Sequence, residues 1–121
     1  MRHLLLVAAI ASAAGGGGPA WDGHALRDQC AAAAQGDREN FCSGYLYATA
    51  ETLQTVQRYY RRSVFNVCPP PLDAAFRSKL KTAFLDWASR NTDKLHHPAN
   101  EVVIWALHDA FRCPRKEGRW E

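Results

Sequence analysis

Apolar residues return every three to four positions along most of this chain, the period of helices with one buried face. The clearest run covers residues 39–63. Phe41, Cys42, Tyr45, Leu46, Thr49, Leu53, Val56, Tyr59 and Tyr60 fall on one stripe, and Tyr47, Glu51, Gln54, Arg58 and Arg61 on the other side. Ahead of it, Ala25, Leu26, Cys30 and a run of alanines predict a short helix over 23–35 that ends near Gly36. Asp37 or Asn40 is placed to cap the long helix. Val64 to Val67 reads as a loop, and Cys68-Pro69-Pro70-Pro71 as a stiff corner, because proline cannot continue a helix but can open one. Leu72, Phe76, Leu80, Ala83, Phe84 and Trp87 mark a third stripe over 72–90. Asn91 to Pro98 is a polar connector. A fourth helix then starts near Pro98, with Asn100 or the residues just before it as cap. Its inner face is Val103, Ala106, Leu107, Ala110 and Phe111, and Pro114 ends it. No stretch alternates in the manner of a strand, so the expected architecture is all-α, a small four-helix up-down bundle.

The first twenty residues do not fit that pattern. Met1-Arg2-His3 is a basic start, Leu4 to Ala14 is apolar but too short to span a bilayer, and Gly15 to Gly18 with Pro19-Ala20 breaks any helix. This is the layout of a secretory signal peptide, with Ala11-Ser12-Ala13 and Gly18-Pro19-Ala20 both fitting the small-x-small cleavage rule. The competing reading is an N-terminal helix of the mature fold, which the glycine run would detach. The domain organisation expected is therefore a signal peptide over 1–20 and one exported helical domain over 21–121.

Export decides what the cysteines mean. An even number in an oxidising compartment reads as disulfides. Cys30, Cys42, Cys68 and Cys113 allow three pairings. In an up-down bundle Cys30 and Cys42 sit at one end, and Cys68 and Cys113 at the other. Only the pairing Cys30–Cys42 with Cys68–Cys113 then avoids linking sulfurs a helix length apart. A metal site would want CxxC or HxxxH spacing, which is absent, and the adjacent His96 and His97 point apart on regular elements. No metal and no cofactor is expected.

Composition narrows the function classes. With 15 Lys+Arg against 12 Asp+Glu, the net charge is +3, or +2 once residues 1–20 and their single arginine are removed. Neither is the concentrated basic face of a nucleic-acid binder. No apolar run reaches the ~18 residues of a membrane span. An enzyme needs a poised set of groups, and GxSxG, HExxH and a phosphate-binding glycine loop are all missing. Glu51, Asp86, Asp93, Glu101 and Asp109 are scattered acids. Glu101 with His108 could do acid–base work, but both lie on the polar side of the fourth helix, where a solvated face is the plainer reading. Paired cysteines leave no thiol nucleophile, so no catalytic residue is assigned. Large apolar groups on polar faces point elsewhere. Trp105 falls beside Glu101, His108 and Arg112. Leu85 lies opposite the third stripe, flanked by Lys81, and Tyr47 is on the polar side of the second helix. These six residues, Trp105, Tyr47, Leu85, Glu101, His108 and Arg112, are the candidate partner-binding set. The alternative is that a neighbouring helix or the tail covers them.

Several segments together resemble the Rap/Tai family of type VI secretion immunity proteins. They are Cys42-Ser43-Gly44-Tyr45-Leu46, Val67-Cys68-Pro69-Pro70, Leu95-His96-His97-Pro98-Ala99 running into Val102-Val103-Ile104-Trp105-Ala106-Leu107, and Ala110-Phe111-Arg112-Cys113-Pro114. The resemblance covers residues 24–114. It implies a small helical periplasmic protein, often a homodimer, that binds and blocks a cell-wall-degrading amidase injected by another bacterium. The family's four cysteines fall on Cys30, Cys42, Cys68 and Cys113, and its glycine on Gly44, where close packing of a neighbouring helix is expected at a propensity cost of about 1 kcal/mol. The chain departs from the family at Asn91-Thr92-Asp93, where a histidine–proline pair is common, and at Arg112, where proline precedes the last cysteine. A periplasmic chaperone of similar build, with His96, His97 and His108 as pH-responsive groups, is the alternative function.

Overall fold

The computed structural model describes residues 21–32 and 37–114, with residues 37–40 as backbone only. The signal-peptide reading of residues 1–20, Gly36, the capping role of the Asp37 or Asn40 side chain and the tail from residue 115 lie outside the described residues. Four helices form: α1 (Gly23–Ala31), α2 (Asp37–Tyr60), α3 (Ala74–Arg90) and α4 (Ala99–Ala110). A 3₁₀ turn at Thr92–Lys94 lies in the connector between α3 and α4. The described residues hold no strand, only two isolated bridges, Asp22 with Pro98 and Val67 with Arg112. No described helix is long and apolar enough to cross a membrane.

The helix ends follow from local chemistry. Asp22 accepts the Ala25 N–H at 2.9 Å and caps α1. Asp73 does the same for α3 through Phe76 N–H at 2.9 Å. This places the start of α3 at Ala74, two residues after the expected Leu72. Helix α2 stops at Tyr60 because Arg61 turns into the left-handed region at φ 54°. Asn100 is not the cap of α4, since it lies inside the first turn. The Ala99 N–H is satisfied by the backbone carbonyl of Trp21 at 3.2 Å, while Gly23 N–H reaches the His97 carbonyl at 3.0 Å and His24 N–H the Leu95 carbonyl at 3.1 Å. These bonds stitch the start of α1 to the start of α4. Gly23 is required there, because a Cβ would meet the Leu95 carbonyl and the Val102 Cγ2 at 2.9 Å.

The core is one cluster. Leu26, Cys30, Leu46, Ala50, Phe76, Leu80, Phe84, Trp87, Leu95, Val102, Val103 and Leu107 are buried in it, and no buried polar or charged residue interrupts it among the described residues. The two crosslinks pair as expected, Cys30–Cys42 with Cα atoms 5.0 Å apart and Cys68–Cys113 at 4.8 Å. Removing one from a small domain costs roughly 3–4 kcal/mol in the chain-entropy model.

Three expectations about packing are corrected. Phe41, Tyr59 and Tyr60 are exposed despite lying on the apolar stripe of α2, and Ala50 is buried in their place. At 24 residues α2 is about 36 Å long. Its buried residues stop at Leu53, so its last two turns run past the core. Ala110 is exposed rather than internal, and Phe111 lies just beyond the helix, half-buried with its ring 5.1 Å from that of Phe76. Gly44 faces open space, with no atom within 4 Å of an added Cβ, so it packs no neighbour.

Candidate partner-binding surface

The outer side of α4 and the connector before it form a shallow cleft of about 440 Å³, lined by Trp87, Lys94, His97, Trp105, His108 and Asp109. Trp105 is half-buried. One side of its ring meets the edge of His97, with centroids 4.9 Å apart at 77°, and Trp87 lies 6.3 Å away. His97 is in turn held between His96, 4.3 Å away ring to ring, and the Glu101 carboxylate, 3.6 Å from its Nδ1. Glu101, Trp105 and His108 come together because helical spacing sets positions three and four apart on one face, and the connector before α4 brings His97 up to them.

The floor of the cleft is fixed by a polar contact. Trp87 is buried against the core, and its indole N–H donates to Asp109 Oδ2 at 2.9 Å. A buried indole requires such a partner. The other Asp109 oxygen lies 3.2 Å from His108 Nδ1 and 3.9 Å from Arg112 Nη2. Burial pushes the Asp109 carboxyl up, but hydrogen bonds from His108 and Trp87 and the charges of His108 and Arg112 outweigh it, and the carboxyl is held below its ordinary value.

Of the six sequence-predicted residues, Trp105 and His108 line the cleft, while Glu101 borders it through His97 and Arg112 through Asp109. Tyr47 and Leu85 do not line this cleft. Tyr47 has the Arg77 guanidinium 4.6 Å over its ring, and its hydroxyl donates to the Leu72 carbonyl at 3.5 Å, so it pins the approach to α3. Leu85 is half-buried against the core. Glu101 and His108 do not pair with each other: the first faces His97 and the second Asp109. All four cysteines are in disulfides, and no described cluster of three or more His, Cys, Asp or Glu could hold a metal ion.

Other surface residues escaped the sequence reading. Trp21 packs edge-on against Phe41 at 5.3 Å, and Phe41 lies 6.0 Å from Tyr45. This trio adjoins a groove between α2 and α4 lined by Tyr45, Thr49, Asn100 and Ile104. Partial burial there pushes the Tyr45 hydroxyl pKa up. At the other end of α2, Tyr59, Tyr60 and Phe65 stand in solvent. The signal that could have found Tyr59 and Tyr60 was length, since α2 has twice as many residues as α4.

Residues 22–113 match the model of a protein family described as Rap1a immunity proteins. No curated protein and no solved structure matches the chain.

Proposed function

The chain belongs to the Rap1a immunity protein family, and from that premise we propose that it is an inhibitor by binding, not an enzyme. Its target is a peptidoglycan amidase delivered by type VI secretion, and it acts in the periplasm after removal of residues 1–20. The family match carries this reading. It takes in both crosslinks and the whole Trp105 surface, so the match covers the segment that carries the candidate site.

The surface chemistry is consistent with that role. A half-buried indole flanked by imidazoles, with Glu101, Asp109, Arg112 and Lys94 around it, is the make-up of an interface with an aromatic centre and a charged rim. Trp105, Glu101, His108 and Arg112 are the proposed contacts, with Tyr47 and Leu85 as supporting contacts from α2 and α3. A stable complex needs to bury about 1,600 Å² in total. A face of that size laid over an active-site cleft excludes substrate without any chemistry by the inhibitor.

The test is inhibition of purified type VI peptidoglycan amidases, any encoded beside this gene first, using the chain with its disulfides intact. Stoichiometric loss of peptide release from cell-wall sacculi is expected. Trp105→Ala is expected to weaken binding by about 30-fold, the equivalent of a ~2 kcal/mol hot spot, with little change in helix content. Failure of the wild-type chain to bind or inhibit overturns the proposal. A large fall in melting temperature for Trp105→Ala assigns that residue to the core instead.

A further inference from the structure

Tyr59, Tyr60 and Phe65 are 80%, 62% and 60% exposed. They stand where α2 has run past the core and the chain turns back. The two tyrosine rings pack edge to face at 5.1 Å, which fixes their relative orientation. Between Thr52 and Leu72 the chain carries Arg58, Arg61 and Arg62 and not one carboxylate, whereas the whole protein is nearly balanced. All three arginines are exposed, and Arg61 and Arg62 have no ion-pair partner among the described residues.

The turn that displays these groups is held against its own preference. Arg61, Phe65 and Asn66 all have φ between 54° and 59°. That region suits glycine, and a bulky residue such as Phe65 adopts it only under constraint. Asn66 also carries a buried Oδ1 with no hydrogen-bond partner among the described residues. The constraint comes from behind the turn. Cys68 N–H donates to the Phe111 carbonyl at 2.8 Å, Cys113 N–H donates to the Asn66 carbonyl at 3.3 Å, and the Cys68–Cys113 disulfide closes the same junction. Gln57 Nε2 reaches Cys68 Sγ at 3.6 Å and Gln54 Nε2 the Pro70 carbonyl at 3.0 Å, which straps the returning chain to α2. The exposed rings contribute little to the core, yet the turn that presents Phe65 is strained and rigidly backed.

We propose that this projecting end of α2, with the turn after it, is a second docking surface, and that it takes a carboxylate-rich face of the amidase. The inference rests on the inhibitor reading and adds to it the surface and its chemistry. Three unpaired-by-acid guanidinium groups require a negative counterpart when they are desolvated. Tyr and Arg are the residues enriched where proteins meet. A lipid-binding helix would instead carry an apolar face of Trp, Phe and Leu opposite a Lys/Arg face over several turns, whereas here the exposed rings and arginines are confined to one helix end and the turn after it. The rigid backing lowers the ordering cost of association.

The experiment measures binding of the purified type VI amidase that the wild-type chain inhibits to the oxidised chain, at low and high salt. Arg61→Glu/Arg62→Glu is expected to raise Kd about 100-fold, mostly by slowing association, and to remove most of the salt dependence. Tyr59→Ala/Tyr60→Ala is expected to raise it about 30-fold through faster dissociation. Lys79→Glu, an exposed charge reversal on α3, serves as the control and leaves binding unchanged. Melting temperatures stay within about 2 °C of wild type, because the altered side chains lie beyond the core. If Tyr59→Ala/Tyr60→Ala melts lower, the arginine pair alone carries the test. Wild-type binding with both variants unimpaired overturns the inference and leaves the inhibitor reading standing. A wild type that inhibits no such amidase overturns the reading, and the inference with it. Two further results also overturn the inference: loss only of binding to phosphatidylglycerol vesicles, or loss only of self-association in sedimentation, with amidase affinity intact.

Discussion

Two glycines show how much depends on what surrounds a residue. Gly44 lies in the interior of α2 and faces open space, so it bears the helical cost of glycine and returns no packing. Gly44→Ala is expected to raise stability by about 0.5–1 kcal/mol in denaturant melts. Gly23 has the opposite setting: its missing side chain lets the Leu95 carbonyl and Val102 close on α1. Gly23→Ala forces backbone apart and is expected to cost about 1–3 kcal/mol. Asp109 gives a prediction in pH. Its carboxyl pKa is lowered in the fold, so its contribution to stability is complete above its unfolded value and is lost as pH falls through the folded one. Between about pH 5 and about pH 2 the wild type is expected to lose stability more steeply than Asp109→Asn, whose amide oxygen still accepts the Trp87 indole N–H. Equal slopes would show that the carboxylate contributes nothing through its charge.

Among the elements, the four helices were legible because each keeps its period over several turns, and the crosslinks were legible because cysteines at like ends leave one workable pairing. Other features depended on relations between elements that no local pattern records. The stripe of α2 runs unbroken to Tyr60, and only the shorter reach of its neighbours leaves Tyr59 and Tyr60 outside. The backbone bonds from residues 21–24 to the connector involve no distinctive side chain, so the sequence left the start of α4 between Asn100 and the residues just before it, and Pro98 holds the cap position. Of the candidate surface, Trp105, Glu101 and His108 were visible as one helix face, with Arg112 falling just past the end of α4, while Trp87 and Asp109 were hidden because their bond joins two helices. The same distinction separates the two disulfides. Cys30–Cys42 closes 12 residues and joins neighbouring helices, whereas Cys68–Cys113 closes 45 and secures the turn at Phe65 and Asn66. Cys68→Ser/Cys113→Ser is expected to cost about 4 kcal/mol and Cys30→Ser/Cys42→Ser about 3. Only the first is expected to raise hydrogen exchange across residues 61–67, since strain held by a clamp is released when the clamp opens.

For the molecule as a whole, the crosslinks tie its stability to an oxidising environment. By the chain-entropy model the two loops together contribute roughly 7 kcal/mol. A domain of this size has a total margin of about 5–15 kcal/mol. With both cysteine pairs reduced, roughly half to all of that margin is lost, and packing alone leaves the bundle a weak hold on its shape. If the proposed role holds, the full chain expressed in a Gram-negative host accumulates oxidised in the periplasm and protects cells against a type VI peptidoglycan amidase directed there. A version starting at Trp21 behind a single Met, retained in the reducing cytoplasm, is expected to carry free thiols and melt lower, and to give no protection. Thiol labelling after acid quenching reads the oxidation state, and survival under amidase induction reads the function. Free thiols at all four positions in exported material would remove the physical basis of a disulfide-locked inhibitor. Full protection by the cytoplasmic version would move the site of action out of the periplasm.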